Sequence, residues 1–152
     1  NDTTEQCFEK ALRKVIRQVF EAVGAYGTFS PVFSCQPLRH QVPQEGKIVC
    51  TNGMKLTNPG NVASRPKISV FCTGSVTMSL AGQAVHLTGQ TGGSGLDCEA
   101  EDCYSGDFLS LANQLMTGEF PTIPVGTSYI NWEAGVGSSV TKVEIEPRWR
   151  WL

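Results

Sequence analysis

A chain of 152 residues with 40% apolar and 17% charged residues has a globular composition, because a disordered chain is poorer in the first and richer in the second. Its net charge of −2 gives no reason to expect a nucleic-acid partner, which calls for a clustered basic patch. No apolar run approaches the roughly 20 residues of a membrane-spanning helix, and Asn1-Asp2-Thr3-Thr4-Glu5 does not read as a signal peptide.

From Asp2 to about Val23 the spacing predicts one amphipathic helix. Phe8, Leu12, Val15, Ile16, Val19 and Val23 recur at steps that build a single apolar stripe, while Lys10, Arg13, Lys14 and Arg17 fall mostly on the other face. Asp2 or Thr3 suits the N-cap, and Gly24 and Gly27 suit the C-terminal end. The basic face reads as a solvated one. Thr28–Cys35 then alternates phenylalanine with small polar residues. Leu38–Gly46, with Pro43, reads as a linker or long loop, which places the domain boundary between 1–44 and 45–152.

Beyond the boundary the period changes to two. Short strands are predicted at Lys47–Thr51, Met54–Asn58, Pro66–Cys72, Ser75–Leu80, Ala84–Thr88, Thr127–Glu133 and Ser139–Arg150, with a tight hairpin at Ala81-Gly82. This spacing predicts a mainly β, antiparallel sandwich or barrel rather than alternating βαβ units. In the last strand Thr141, Val143, Ile145, Pro147, Trp149 and Trp151 share one parity, and Lys142, Glu144, Glu146, Arg148 and Arg150 share the other. Alternation along a strand makes one face apolar and the other a charged ladder. Pro147 cannot donate a ladder hydrogen bond, so this end should lie at an edge or leave the sheet.

A catalytic reading finds little to hold. The two histidines are His40, in the expected loop, and His86, whose neighbours Val85 and Leu87 place it on the solvent side of a strand. No serine or cysteine has a positioned base, and Gly92-Gly93-Ser94-Gly95-Leu96 fits a turn better than a nucleophile elbow. The acidic run Asp97-Cys98-Glu99-Ala100-Glu101-Asp102 departs from a calcium loop where glycine and the bidentate acid belong, and reads as a hydrated segment between strands. No catalytic residue, metal ligand or cofactor is therefore assigned. Trp132, Trp149, Trp151 and Tyr129 are candidates for contact with a partner or a sugar ring, against the alternative that they belong to a core or interface. The six cysteines, Cys7, Cys35, Cys50, Cys72, Cys98 and Cys103, form no Cys-x-x-Cys pair, so zinc is poorly supported. Disulfides and small buried thiols both remain open.

Read in order, the second half carries Leu56-Thr57-Asn58-Pro59-Gly60, then Ser64-Arg65-Pro66-Lys67-Ile68-Ser69-Val70, then Gly74-Ser75-Val76-Thr77-Met78-Ser79-Leu80. Leu96-Asp97-Cys98-Glu99, Asp102-Cys103-Tyr104, Met116-Thr117-Gly118-Glu119-Phe120-Pro121, Pro124-Val125-Gly126-Thr127, Ile130-Asn131-Trp132 and Ile145-Glu146-Pro147-Arg148-Trp149-Arg150 follow. This series resembles the distal tail protein of long-tailed phages with non-contractile tails, in the form common among Gram-positive hosts. Gly27-Thr28-Phe29 and Phe33-Ser34-Cys35-Gln36-Pro37 resemble the end of that family's N-terminal domain. The resemblance implies a galectin-like β-sandwich of jelly-roll type over 45–152, and a helix with the remnant of a ring-forming domain over 1–44. It also implies a hexameric homo-oligomeric ring that joins the tail tube protein to tail tip or receptor-binding proteins. The chain would be a virion component assembled in the host bacterial cytoplasm, where the cysteines stay reduced. The helix stripe would then lie at the oligomer interface. Only about thirty residues precede Phe33-Ser34-Cys35, where the family has a larger ring-forming domain. A secreted, disulfide-stabilised β-sandwich that binds carbohydrate or protein is the alternative.

Overall fold

The structure, a computed structural model, describes residues 38–40, 46–106 and 110–152. The helix expected over Asp2–Val23, with its stripe of Phe8, Leu12, Val15, Ile16, Val19 and Val23, lies outside the described residues, as do Cys7 and Cys35.

Leu38–Leu152 is one compact unit made almost wholly of antiparallel strands. They are β1 (Arg39–His40), β2 (Ile48–Cys50), β3 (Met54–Asn58), β4 (Lys67–Leu80), β5 (Gln83–Thr91), β6 (Ser94–Asp97), β7 (Asp102–Tyr104), β8 (Met116–Gly118), β9 (Gly126–Ala134), β10 (Ser139–Glu146) and β11 (Arg150–Trp151). One 3₁₀ turn, Asn113–Leu115, precedes β8.

The 14-residue strand β4 is the spine. Along one flank its first half pairs with β10 (Ile68 opposite Ile145) and its second half with β9 (Met78 opposite Trp132). Along the other flank β6 pairs with the first half (Ile68 opposite Leu96) and β5 with the second (Met78 opposite Val85). The next lanes repeat the division: β2 and β3 lie on β10 and β9, and β7 and β8 lie on β6 and β5. The sheet is therefore a set of long lanes in the order β2/β3, β10/β9, β4, β6/β5, β7/β8, and all but β4 are interrupted near mid-length.

The interruptions coincide. The β4–β5 register slips between Gly74 and Val76, and the β4–β10 register slips between Val140 and Lys142. Beside them lie the Gly92-Gly93 break between β5 and β6 and the Gly135–Ser138 loop between β9 and β10. A bulge adds a residue to one strand, bends it and increases its twist, so a row of such breaks lets a sheet turn a corner. Gly74 is required there. Its φ is +85°, and a Cβ would collide with the side chain of Ser138. The Ser138 hydroxyl uses that space to accept the Ser75 N–H at 2.8 Å, and Gly135 N–H donates to Ser75 O at 2.8 Å.

The inner faces of both halves contribute to one core. Ile68, Val70, Cys72, Val143, Ile145, Leu96 and Cys103 come from one half, and Val76, Met78, Leu80, Val85, Leu87, Ile130 and Leu56 from the other. Each large side chain of this kind contributes on the order of 1.5–3 kcal/mol when buried. No helix among the described residues is long and apolar enough to cross a membrane.

Four expectations change in detail. Gly92-Gly93-Ser94-Gly95-Leu96, expected as a turn, supplies Ser94, Gly95 and Leu96 to β6, and only Gly92-Gly93 lies outside a strand. Leu38–Gly46, expected as a loop, contributes β1, which pairs Arg39 with Trp151 and His40 with Arg150. The strands expected at Pro66–Cys72 and Ser75–Leu80 are one continuous strand. The strand expected over Ser139–Arg150 stops at Glu146, as Pro147 required, and Arg148 turns the chain with φ +52°. That turn resets the alternation, so Arg150, assigned to the charged face, is buried.

Candidate functional site

The acidic run and the arginines of the C-terminal segment meet at one end of β4. Arg148 forks onto Asp97: Nη1 donates to Oδ1 at 2.8 Å and Nη2 to Oδ2 at 3.0 Å. Nη1 also reaches Glu99 Oε2 at 3.4 Å, and both partners of the forked pair are more than four-fifths buried. Burial disfavours the Asp97 carboxylate, but hydrogen bonds and charge from Arg148, with the N–H groups of Ala100 and Glu99, overcome it and hold the pKa below the usual range. Asp97 raises the pKa of Arg148 in turn, against the burial of the guanidinium.

Arg150 is only 7% exposed at its side chain. Its Nη2 lies 2.8 Å from Glu99 Oε1, but the N–H is not aligned on that oxygen, and neither Nε nor Nη2 makes a hydrogen bond. Arg65 meets Glu101 at 3.3 Å across the same turn. The acidic run is thus an exposed β6–β7 turn, as expected from sequence, whose carboxylates also meet three arginines that the sequence did not single out as partners. Among the described residues no group of His, Cys, Asp and Glu could hold a metal ion.

Next to these charges the Asn58-Pro59-Gly60 turn closes over the end of the chain. The buried Asn58 side chain donates to Ile123 O at 3.0 Å and Val62 O at 3.1 Å, and accepts the Gly60 N–H at 2.9 Å. Gly60 passes so close to the Arg150 backbone that a Cβ would collide with its carbonyl. Leu152 N–H donates to Asn61 Oδ1 at 2.8 Å. Turn, acidic loop and C-terminal segment form one clasp.

The sequence candidates for partner or sugar contact separate. Trp149 is buried in the core, Trp132 and Trp151 are half-buried against it, and Tyr129 is 54% exposed on the outer face of β9. Tyr129 borders a shallow groove of about 360 Å³. It is lined by Ser79 of β4, the Ala81-Gly82 turn, Pro124, and Thr127, Ser128, Tyr129 and Asn131 of β9. Composition hid this groove, which depends on which small residues lie beside the tyrosine across the sheet.

His86 is exposed, with Nδ1 3.0 Å from Thr77 Oγ1. Cys50, Cys72, Cys98 and Cys103 are buried free thiols. Burial pushes the Cys50 thiol up to about 11; burial and then the Asp97 charge push Cys98 up to about 12, against Arg148 and Arg65. No family model, curated protein or solved structure matches the chain.

Proposed function

We propose that this protein is a structural component of a phage tail tip, of the distal-tail type. It forms a symmetric, most simply hexameric, ring that joins the tail tube protein to the tip or baseplate and its receptor-binding components. In this reading the bent sheet is the two-layered, galectin-like sandwich that the resemblance implies, the chain is not an enzyme, and the amphipathic stripe from Phe8 to Val23 makes the contact between subunits.

The ordered series of motifs carries the proposal, and the clasp says what several of them do. Asn58-Pro59-Gly60, Ser64-Arg65-Pro66, Asp97-Cys98-Glu99 and Pro147-Arg148-Trp149-Arg150 come together in space, where their charges meet one another and their turns fit each other's backbone. Residues used in this way specify an architecture, which is what a scaffold protein needs. Buried thiols at Cys50, Cys72, Cys98 and Cys103 suit assembly in a reducing cytoplasm.

Negative-stain images of the purified protein, with its mass in solution, test the proposal. Rings of uniform subunit number, and the chain's presence in purified particles, are expected. A protein that stays monomeric at high concentration and is missing from particles would overturn it.

A further inference from the structure

We infer that the groove beside Tyr129 is a binding site for a neutral saccharide. The site is formed by the groove alone, whether or not the protein forms a ring.

Tyr129 lies on the solvent side of β9, between the inward-facing Ser128 and Ile130. Its carbonyl accepts the Ala81 N–H at 3.1 Å, which fixes the β4–β5 turn alongside. On that side its neighbours are Ser79, Ala81 and Gly82, none large enough to cover an aromatic ring. On the other side its cross-strand partner is Lys55. The Tyr129 side chain is thus 54% exposed beside small residues, on the face of β9 opposite the core.

The chemistry of the lining selects the ligand. Asn131 and Thr127 flank the ring on the same face of the strand, and Ser79 lies opposite Asn131 on β4. Together they offer an amide that donates and accepts and three hydroxyls, counting the phenol, that do the same. No charged side chain lines the groove itself, and Lys55 stands beside it, across the ladder from Tyr129, so the lining alone selects no charged ligand. A pyranose has an apolar C–H face that stacks on an aromatic ring and a rim of hydroxyls that both donate and accept. The groove is shallow and open, with about 360 Å³ of space, so a ligand would lie across it rather than be enclosed. Both sides of the groove are strands joined by ladder hydrogen bonds, so little ordering is needed on binding.

Amide-resolved NMR titration of the full chain with galactose, glucose, lactose, maltotriose and chitotriose tests the inference. At millimolar sugar, at least one of these probes should shift the amides of Ser79–Gly82 and Thr127–Asn131. The two monosaccharides separate recognition of a single ring from recognition of a linked one. Tyr129→Ala should weaken binding at least tenfold, and Tyr129→Trp should preserve it. The Tyr129→Ala spectrum away from the groove reports that the variant is folded. Should no neutral probe shift these amides, or should Tyr129→Ala bind as the parent does, the inference fails. Tighter binding of an acidic oligosaccharide would overturn its neutral character.

Discussion

Arg148 and Asp97 lie 51 positions apart in the chain and are joined by two parallel hydrogen bonds, at 2.8 and 3.0 Å, across a largely buried contact. The pair ties the segment after β10 to the turn after β6, and so links the two flanks of β4. Charge-assisted hydrogen bonds of this kind are worth about 1.5–3 kcal/mol each, and loss of one partner leaves the other charge desolvated. Asp97→Asn should therefore lower the unfolding free energy by about 2–4 kcal/mol. Urea denaturation measures the difference, and a loss below about 0.5 kcal/mol would reduce the pair to a surface contact.

The same pair sets an acid limit. Asp97 has a depressed pKa in the folded chain, so its stabilisation is complete above the unfolded value of about 3.9 and is lost as pH falls through the lower folded value. Melting temperatures of the parent and of Asp97→Asn should differ by a constant amount at pH 6–7 and converge below about pH 4. A gap that persisted unchanged to the lowest pH would show that the carboxylate charge is not what Arg148 recognises.

Much of the sheet was legible because its alternation is local. Val143 and Ile145 face inward as their parity requires, and His86 faces outward between Val85 and Leu87. What stayed hidden depends on distant partners or on a reset of phase. The arginine partners of the exposed β6–β7 turn stayed hidden because Arg148 and Arg150 lie about fifty residues away. Arg150 read as exposed because nothing in the sequence shows that Arg148 adopts a positive φ and shifts the alternation. The β7/β8 lane was missed because three-residue strands such as Asp102–Tyr104 and Met116–Gly118 are too short to show a period.

Gly60 should tolerate no side chain. Its φ is not left-handed, so the constraint is contact, chiefly with the Arg150 carbonyl and also with Asn58 Oδ1, and the Arg150 backbone is held on its other side by pairing with β1. Gly60→Ala is expected to cost about 1–3 kcal/mol by overpacking. Gly82→Ala, where a Cβ meets nothing but φ is +80°, should cost about 1–2 kcal/mol through backbone strain alone. Thermal unfolding of the two variants separates the mechanisms. If Gly60→Ala melts with the parent, the clasp is looser than its geometry implies.

The four described cysteines should resist alkylation while the protein is folded. Only the thiolate reacts, and burial holds Cys50 near 11 and Cys98 near 12, with Cys72 and Cys103 raised as well. Stability from these neutral thiols is complete below the unfolded value of about 8.5 and is lost as pH rises through the folded values. Iodoacetamide at pH 8 should leave all four unmodified in the native chain and label them in denaturant without reductant. Fewer labels after denaturation would mean that some are oxidised, and would favour the secreted alternative.

The last prediction concerns assembly and falls on the part of the chain whose evidence is its sequence. Phe8, Leu12, Val15, Ile16, Val19 and Val23 define a stripe that an isolated helix cannot keep from water at an acceptable free energy. Either its own sheet or a neighbouring subunit must cover it, and the ring proposal assigns it to the neighbour. Contacts in a ring are heterologous, so each subunit offers one patch to the chain before it and another to the chain after it. Replacing Val15 and Val19 by aspartate places two charges in that contact, and should dissociate the assembly without disturbing the core around Ile68 and Met78. Sedimentation should then report monomers, while the melting transition of the β unit stays within about 2 °C of the parent's. A coupled loss, with the β unit melting early and no oligomer in the parent, would assign the stripe to the chain's own sheet and remove this support for the ring.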